Sequence, residues 1–175
     1  MDTQSITYRK AVAEDADYLP AIERSAGSAF LQVPGLEWLA GSDDIVSAED
    51  QLRFIEQGLV WIAESADGER VGFLTAEQFE DEYHIWELDV HQAHQKRGIG
   101  RGLIKALTEK ARRETVRAIT LTTFRDLPFN EKFYQHMGFQ TLEEEQQSKR
   151  LTAILATEEA NGLPAERRCA MQLPL

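Results

Sequence analysis

Apolar and polar residues alternate along this chain with two different periods. Short apolar runs bounded by turn residues predict strands, whereas apolar residues three and four apart predict helices. The predicted strands cover residues 3–10, 59–64, 70–79, 83–91, 118–124, a run from 139, and 167–173. The predicted helices cover a stretch from 14 towards 30, then 47–57, a segment after 102, 129–136 and 148–160, with a loop at 31–46. This interleaving of strands and helices predicts an α/β protein.

Local signals mark several of the predicted boundaries. The acidic residues within 14–17 favour the positive end of a helix dipole, and Ser47 followed by Asp50 resembles a capping box. The tripeptide at 66–68, Ala-Asp-Gly, predicts a hairpin, and Gly138 is expected to end the helix that begins near residue 129. No repeat or linker interrupts these elements, so we expect one domain over residues 1–175.

Composition narrows the class of protein. The 175 residues are 42% hydrophobic and 28% charged, which is typical of one globular domain. No apolar run approaches the roughly 20 residues that span a bilayer, and the first residues lack the pattern of a signal peptide. Cys169 has no second cysteine to pair with, and we expect it to be a buried, unreactive thiol. These features favour a cytoplasmic protein.

The charge is unevenly distributed along the chain. A formal net charge of −11 argues against a general nucleic-acid binder. Residues 95–117 nevertheless contain eight basic and only two acidic residues. A basic segment in an acidic protein suits a small polyphosphate ligand. The same charges fit a solvated helix with the pairs Lys105/Glu109 and Lys110/Glu114, and we expect both readings to hold.

Gly98 and Gly100 lie in a loop between a predicted strand and a predicted helix. Backbone N–H groups at such a helix start form an anion site, and pyrophosphate is a natural occupant. A P-loop requires Gly-Lys-Ser/Thr, which is absent. A dinucleotide fingerprint requires a third glycine where this chain has Leu103, and an acid where it has Thr-Thr-Phe at 122–124. The pattern that remains is a coenzyme A loop.

Two motifs resemble those of the GNAT acetyltransferases. The first, Leu88-Asp89-Val90 followed by Gln95-x-x-Gly98-x-Gly100, is similar to the acetyl-CoA motif of that family. The second, Asn130-x-x-Phe133-Tyr134-x-x-x-Gly138-Phe139, resembles its downstream signature. Together with the strand between them, the motifs cover residues 83–139. Residues 123–130 also resemble a bacterial subgroup of the family, whose substrates the resemblance does not name.

The resemblance implies a fold and a co-substrate. The fold is α/β, with a mixed, mostly antiparallel sheet that is splayed in the middle and flanked by helices, and the co-substrate is acetyl-CoA. The backbone of Leu88, Asp89 and Val90 is expected to pair with the pantetheine arm, and the loop that follows is expected to hold the pyrophosphate. The residues of that loop are Gln95, Lys96, Arg97, Gly98, Ile99, Gly100 and Arg101. Family members often have a small residue at the position of Asn130, which leaves its contact with coenzyme A open.

Amine acetylation requires two groups that handle protons. An amine with a pKa of about 10 must lose a proton before it attacks the thioester, and the departing thiolate gains from a nearby acid. The resemblance assigns the acid to Tyr134. Glu87 is the candidate base, directly or through water, because it alternates with Asp89 on one face of its strand. An ordinary charge at the end of the sheet is an equal reading for Glu87.

Three histidines are alternative bases, namely His84, His91 and His94. His91 and His94 are three residues apart in a predicted loop with no partner ligands, so no metal site is expected.

These observations predict an N-acetyltransferase that uses acetyl-CoA. The acetyl group is expected to pass to a primary amine by direct attack in a ternary complex, without a covalent enzyme intermediate. The alternative is a non-catalytic acyl-CoA-binding sensor. The acidic surface favours polyamines, amino sugars or basic peptide ends as acceptors, and neither nucleic acid nor membrane is an expected partner. The oligomeric state stays open, with homodimers common in the family.

Overall fold

Seven strands form one mixed sheet in the computed structural model, which describes residues 5–175. The strands are β1 (Thr7–Lys10), β2 (Val60–Glu64), β3 (Arg70–Phe79), β4 (Glu82–Val90), β5 (Ala118–Phe124), β6 (Gln140–Leu142) and β7 (Arg168–Pro174). Their order is β1-β2-β3-β4-β5-β7-β6. The β4–β5 pair is parallel, whereas β1–β2, β2–β3, β5–β7 and β6–β7 are antiparallel. The predicted α/β fold with a mostly antiparallel sheet is therefore confirmed.

The α-helices also follow the prediction. They are α1 (Leu19–Gly27), α2 (Ala48–Glu56), α3 (Ile99–Arg113), α4 (Glu131–His136) and α5 (Lys149–Ala160). The helix predicted from residue 14 towards 30 is α-helical only in its middle, with 3-10 turns on either side. Pro20 is the reason at the start, because an α-helix through it would lack one backbone bond and clash with the preceding turn. The strand predicted at 3–10 begins at Thr7, and residues 3 and 4 lie outside the described part.

The backbone divides into two compact units, and each is described by itself. The first unit takes in the chain up to Glu77 together with residues 87–109, and the second takes in 78–86 and 110–175. In the first unit, side chains of α1 and α2 pack on Ile62 and Phe73, both fully buried. Burial of each such side chain stabilises the fold by about 1.5–3 kcal/mol. This packing fixes the positions of α1 and α2 against one face of β2 and β3.

Helix α3 packs on the other face of these strands. Tyr8 pairs with Ala63, the neighbour of Ile62 on the opposite side of the pleat, and its ring lies against Gly102 of α3. A methyl group on Gly102 would stand 2.0 Å from the Tyr8 ring, so any larger residue there would displace that ring. Gly102 is thus a packing glycine rather than part of the loop motif.

In the second unit, β4 and β5 are paired over a short length. Their register joins Glu82–His84 to Ala118–Thr120, and β5 continues to Phe124 alongside β7. Helix α5 buries Leu151 against Leu142 and Ala170, which join it to β6 and β7. Cys169 is fully buried on β7, and burial raises the pKa of its thiol to about 11. The expected burial of Cys169 is confirmed, and the raised pKa is consistent with the predicted lack of reactivity.

Candidate active site

The loop after β4 is fixed to the first unit by side-chain bonds. The Nε2 of Gln95 donates to the carbonyl oxygen of Val90 at 3.0 Å, which ties the loop to the end of β4. The Gln92 N–H donates to Ser25 Oγ at 3.0 Å, which ties it to α1. Lys96 and Gly98 have φ values of 60° and 81°, so the backbone turns sharply before α3 begins. The strand, loop and helix follow one another as the first motif predicts, although α3 begins at Ile99, so Gly100 and Arg101 lie in its first turn rather than in the loop.

The start of α3 presents backbone N–H groups. The amide of Gly102 donates to the carbonyl of Gly98 at 3.1 Å, and the first four N–H groups of a helix have no partner within it. A methyl group on Gly98 would have nothing within 4 Å, so the loop is open on that side, although the positive φ there still favours glycine. A helix start of this kind binds anions. The assignment of pyrophosphate to residues 95–101 stays a prediction.

Charges around α3 form pairs, as the sequence predicts. Lys105 lies 3.9 Å from Glu109 in the first unit, and Lys110 contacts Glu114 in the second. The guanidinium of Arg97 lies 3.3 Å from the Nδ1 of His94. The pairs predicted along the helix are confirmed.

A glutamine holds the carboxylate of Glu87. Gln51 of α2 is fully buried, and its Nε2 donates to Glu87 Oε2 at 2.7 Å. The Thr75 hydroxyl donates to Gln51 Oε1 at 3.2 Å and also contacts Glu87. Burial raises the pKa of Glu87, while the hydrogen bonds from Gln51, Glu23 and Thr75 act in the opposite direction. Glu87 is therefore a fixed, half-buried carboxylate rather than an ordinary surface charge.

Two further carboxyl groups lie beside Glu87. Glu23 of α1 forms a hydrogen bond with Glu87 and accepts the Val46 N–H at 3.1 Å. Burial, and after it the charges of Glu87 and Asp89, raises the pKa of Glu23 to about 9. Burial and the charge of Glu87 also raise the pKa of Asp89. Asp89 thus lies near Glu87, as their alternation on one face of β4 implies.

The three histidines considered as bases have different surroundings. His84, in the second unit, is fully buried, and its Nδ1 lies 2.9 Å from Thr120 Oγ1. Burial and the charge of Arg150 lower its pKa to about 3, which argues against a role as a general base. His91 Nδ1 accepts the Ala93 N–H, and His94 lies 3.9 Å from Glu69. Within residues 5–175, no three or more His, Cys, Asp and Glu side chains are grouped as a metal site.

The second motif lies in the second unit on α4. Tyr134 is half-buried, and its ring contacts those of Phe133 and Phe139, with centroids 5.1 and 5.6 Å away. Asn130 precedes the helix and donates through Nδ2 to Thr123 Oγ1 at 2.8 Å. Its Oδ1 is buried and has no hydrogen-bond partner among the described residues. Gly138 has a φ of 97° and ends the helix, as predicted.

Two residues near Glu87 were not predicted from the sequence, Glu23 and Gln51. The available signal for Gln51 is its position four residues before Ile55, on the apolar face of an amphipathic helix. A polar side chain on that face requires a buried partner. Glu23 carries a similar signal, since it lies four residues after the buried Leu19 of α1.

Comparison with known proteins identifies the family. Residues 28–139 match the family model described as Acetyltransferase (GNAT) family, which is more than half of the chain. The chain therefore belongs to the GNAT acetyltransferases. The assignment to a bacterial subgroup stays a prediction.

Three solved structures share the fold. The PaiA N-acetyltransferase of Thermoplasma acidophilum in complex with coenzyme A has 17% identity and a TM-score of 0.72, covering 98% of this chain and 99% of that one. N-acetylglutamate synthase of Neisseria gonorrhoeae, complexed with coenzyme A and N-acetyl-glutamate, has 19% identity and a TM-score of 0.72. The match covers 99% of this chain and 36% of that one. The ribosomal-protein-S18-alanine N-acetyltransferase of Escherichia coli has 15% identity and a TM-score of 0.67. The match covers 97% of this chain and 94% of that one. At these identities the likeness shows the fold.

Helices of the described part are too short or too polar to cross a membrane.

Proposed function

We propose that this acetyltransferase moves an acetyl group from acetyl-CoA onto a primary amine by direct attack in a ternary complex. The amine loses its proton to Glu87, and its nitrogen then bonds to the thioester carbonyl carbon as the carbon–sulfur bond breaks. The Tyr134 hydroxyl gives its proton to the departing thiolate, and the second proton that the amine nitrogen loses restores the Tyr134 hydroxyl. The products are an N-acetylated amine and free coenzyme A.

The surroundings of Glu87 are the observation that supports this proposal most directly. A general base works best when its pKa lies near the working pH. Burial raises the pKa of Glu87, and the hydrogen bond from Gln51 limits that rise. A carboxylate on a rigid strand, oriented by a buried amide, suits proton abstraction from an ammonium group.

The local backbone and one buried atom support the use of acetyl-CoA. Acetyl-CoA supplies the activated acetyl group when it is bound. We assign its pyrophosphate to the N–H groups of Lys96 through Arg101 and its pantetheine arm to the backbone of Leu88, Asp89 and Val90. The buried Oδ1 of Asn130 lacks a partner within residues 5–175 and is an acceptor for an amide N–H, so we keep Asn130 in the proposed site.

The acceptor is a small-molecule or peptide amine. Two of the similar structures carry names that refer to amine acetylation, of glutamate and of a protein alanine. The net charge of −11 favours cationic acceptors through electrostatic steering. Cytoplasmic localisation and dimerisation stay predictions.

Release of free thiol from acetyl-CoA over spermidine, glucosamine and a lysine-rich peptide tests the proposal. We expect one of these amines to accelerate release, and Tyr134→Phe to lower kcat by roughly 10²–10⁴-fold while acetyl-CoA affinity stays nearly unchanged. The double variant Gly98→Glu with Gly100→Glu should abolish acetyl-CoA binding in calorimetry.

Each result has an opposite that counts against the proposal. Acetyl-CoA binding with no thiol release on any amine would favour the acyl-CoA sensor. A Tyr134→Phe enzyme within twofold of the wild-type kcat, when chemistry limits the rate, would remove Tyr134 as the acid.

A further inference from the structure

Gln51 is a fully buried amide whose two polar atoms face different partners. The Nε2 of Gln51 donates to Glu87 Oε2 at 2.7 Å, and the Oε1 of Gln51 lies 3.2 Å from the Thr75 hydroxyl. An amide nitrogen only donates hydrogen bonds, and therefore it stabilises the ionised form of the carboxyl that it contacts. The Thr75–Gln51 pair is thus arranged to keep Glu87 deprotonated.

Glu23 faces Glu87 from the other helix. Their carboxyl groups form a hydrogen bond, which requires that one of the two carries a proton. Among the described residues, Glu23 accepts the Val46 backbone N–H at 3.1 Å, whereas Glu87 accepts the side-chain amide of Gln51 at 2.7 Å. The proton of the pair is therefore favoured on Glu23, which then donates to Glu87.

The groups that face Glu87 come from each element packed around it. They are Glu23 from α1, Gln51 from α2, Thr75 from β3 and the neighbouring Asp89 of β4. Among the described residues, none of these partners of Glu87 is an arginine or a lysine. The charge of Glu87 is consequently held by neutral donors rather than by a cation.

We propose that Gln51 and Glu23 are positioning residues that determine which carboxyl group accepts the substrate proton. Gln51 orients Glu87 and keeps it ionised, and Glu23 holds the shared proton and donates a hydrogen bond to Glu87. This inference rests on the proposed role of Glu87 as the base. It adds Glu23 of α1 and Gln51 of α2 to the residues that act with the proposed base, Glu87 of β4.

Carboxyl titration by NMR tests the proposal without any substrate. The full chain is labelled with ¹³C at the Glu side-chain carboxyl carbons, and Glu23→Gln and Glu87→Gln assign the two signals. We expect Glu87 to ionise at a lower pH than Glu23. Gln51→Met removes one donor to Glu87, and it should raise the midpoint of Glu87 by about one pH unit or more.

Variants of Glu23 test the location of the proton. Glu23→Met removes the second donor and should also raise the Glu87 midpoint, whereas Glu23→Gln keeps a donor and should shift it much less. Gln57→Met and Glu56→Met, at exposed positions near the end of α2, are the matched controls and should not shift it. The acid limb of kcat/KM for the fastest amine of the panel should move in parallel, since the substrate's own pKa is the same for every variant.

Two outcomes would overturn the proposal. One is a Glu87 midpoint that does not move in Gln51→Met. The other is a lower Glu87 midpoint in Glu23→Gln, which would mean that Glu23 is ionised. Failure of the proposed function is a separate result, in which Glu87→Gln keeps the wild-type rate whatever the carboxyl titration shows.

Discussion

Asp15 and Glu87 are both shielded carboxylates of the first unit, and their partners differ in charge. Asp15 accepts hydrogen bonds from Arg9 at 2.7 Å and Arg70 at 2.9 Å, and from the Val12 N–H at 2.8 Å. Burial alone raises the pKa of Asp15, but these three donors outweigh it and hold the pKa at about 2. Glu87 has an amide and two other carboxyl groups around it, and its pKa is raised.

The difference separates a structural carboxylate from one suited to catalysis. A carboxylate neutralised by two arginines stays ionised at every physiological pH and cannot take up a proton. A carboxylate held by neutral donors in a shielded site retains the basicity that proton transfer requires. Burial raises the pKa of both groups, and the arginines beside Asp15 reverse that rise there.

The largest effect is expected for Glu87→Gln. We expect kcat/KM to fall by roughly 10²–10⁴-fold, because the amide cannot accept a proton. Stability should change by less than about 1 kcal/mol, since the amide still accepts the Gln51 hydrogen bond and no buried charge is left unpaired. Steady-state kinetics and denaturant unfolding measure the two quantities. A large loss of stability with little loss of activity would place Glu87 in the same class as Asp15.

Asp15→Asn is expected to show the opposite profile. Loss of this carboxylate removes the ion pair with Arg70 and leaves Arg9 with Glu64, and because both arginines are partly exposed we expect a cost of about 1.5–3 kcal/mol. The free energy of unfolding should fall by that order, while the kcat of the remaining folded enzyme stays near wild type. Asp17→Asn, exposed on the same turn, is the control and should change stability by less than about 0.5 kcal/mol. Equal losses in the two variants would contradict the structural role.

The pH dependence of stability should next distinguish Asp15 from Glu23, the carboxyl group beside Glu87. Asp15 has a lowered pKa, so its contribution is present above about pH 4 and is lost as the pH falls towards about 2. Glu23 has a pKa raised to about 9, so its folded form binds more protons, and stability should decline as the pH rises from about 4 to about 9. Denaturant unfolding at several pH values between about 2 and about 9 measures the change in the free energy of unfolding that each group causes.

Substitution of each residue provides the control for its slope. Glu23→Gln should flatten the decline at higher pH, and Asp15→Asn should flatten the acid side. A Glu23→Gln variant that keeps the full decline would show that another group titrates there.

The smallest effect is expected for Trp38→Ala. Trp38 lies in the segment between α1 and α2, the same segment whose Val46 N–H contacts Glu23, and 49% of it is exposed. We expect the acceptor KM to rise several-fold more than the acetyl-CoA KM, because this segment contacts Glu23 beside the proposed base Glu87, where the amine is expected to bind. Kinetics with both substrates varied measures the split. A fall in stability comparable to that of a core substitution would instead make Trp38 a packing residue.

Much of the fold follows from local sequence. The Ser47 cap predicted for α2 is present, with the Asp50 N–H donating to Ser47 Oγ at 3.1 Å. The hairpin at Gly68 and the helix end at Gly138 have positive φ values of 82° and 97°. These features depend on residues within a few positions of each other, which is why periodicity and turn chemistry suffice to predict them. The loop motif after β4 was likewise predicted from residues that are close together in the sequence.

Tertiary structure alone decided which partners surround each acid. Asp15 and Glu23 lie eight residues apart, and their neighbours in the sequence do not show which partners each carboxyl group contacts. Arg70, which neutralises Asp15, is 55 residues away, and Gln51, which orients Glu87, is 36 residues away. A pKa depends on burial and on charges within a few ångströms, and only the packing of helices on the sheet sets those distances.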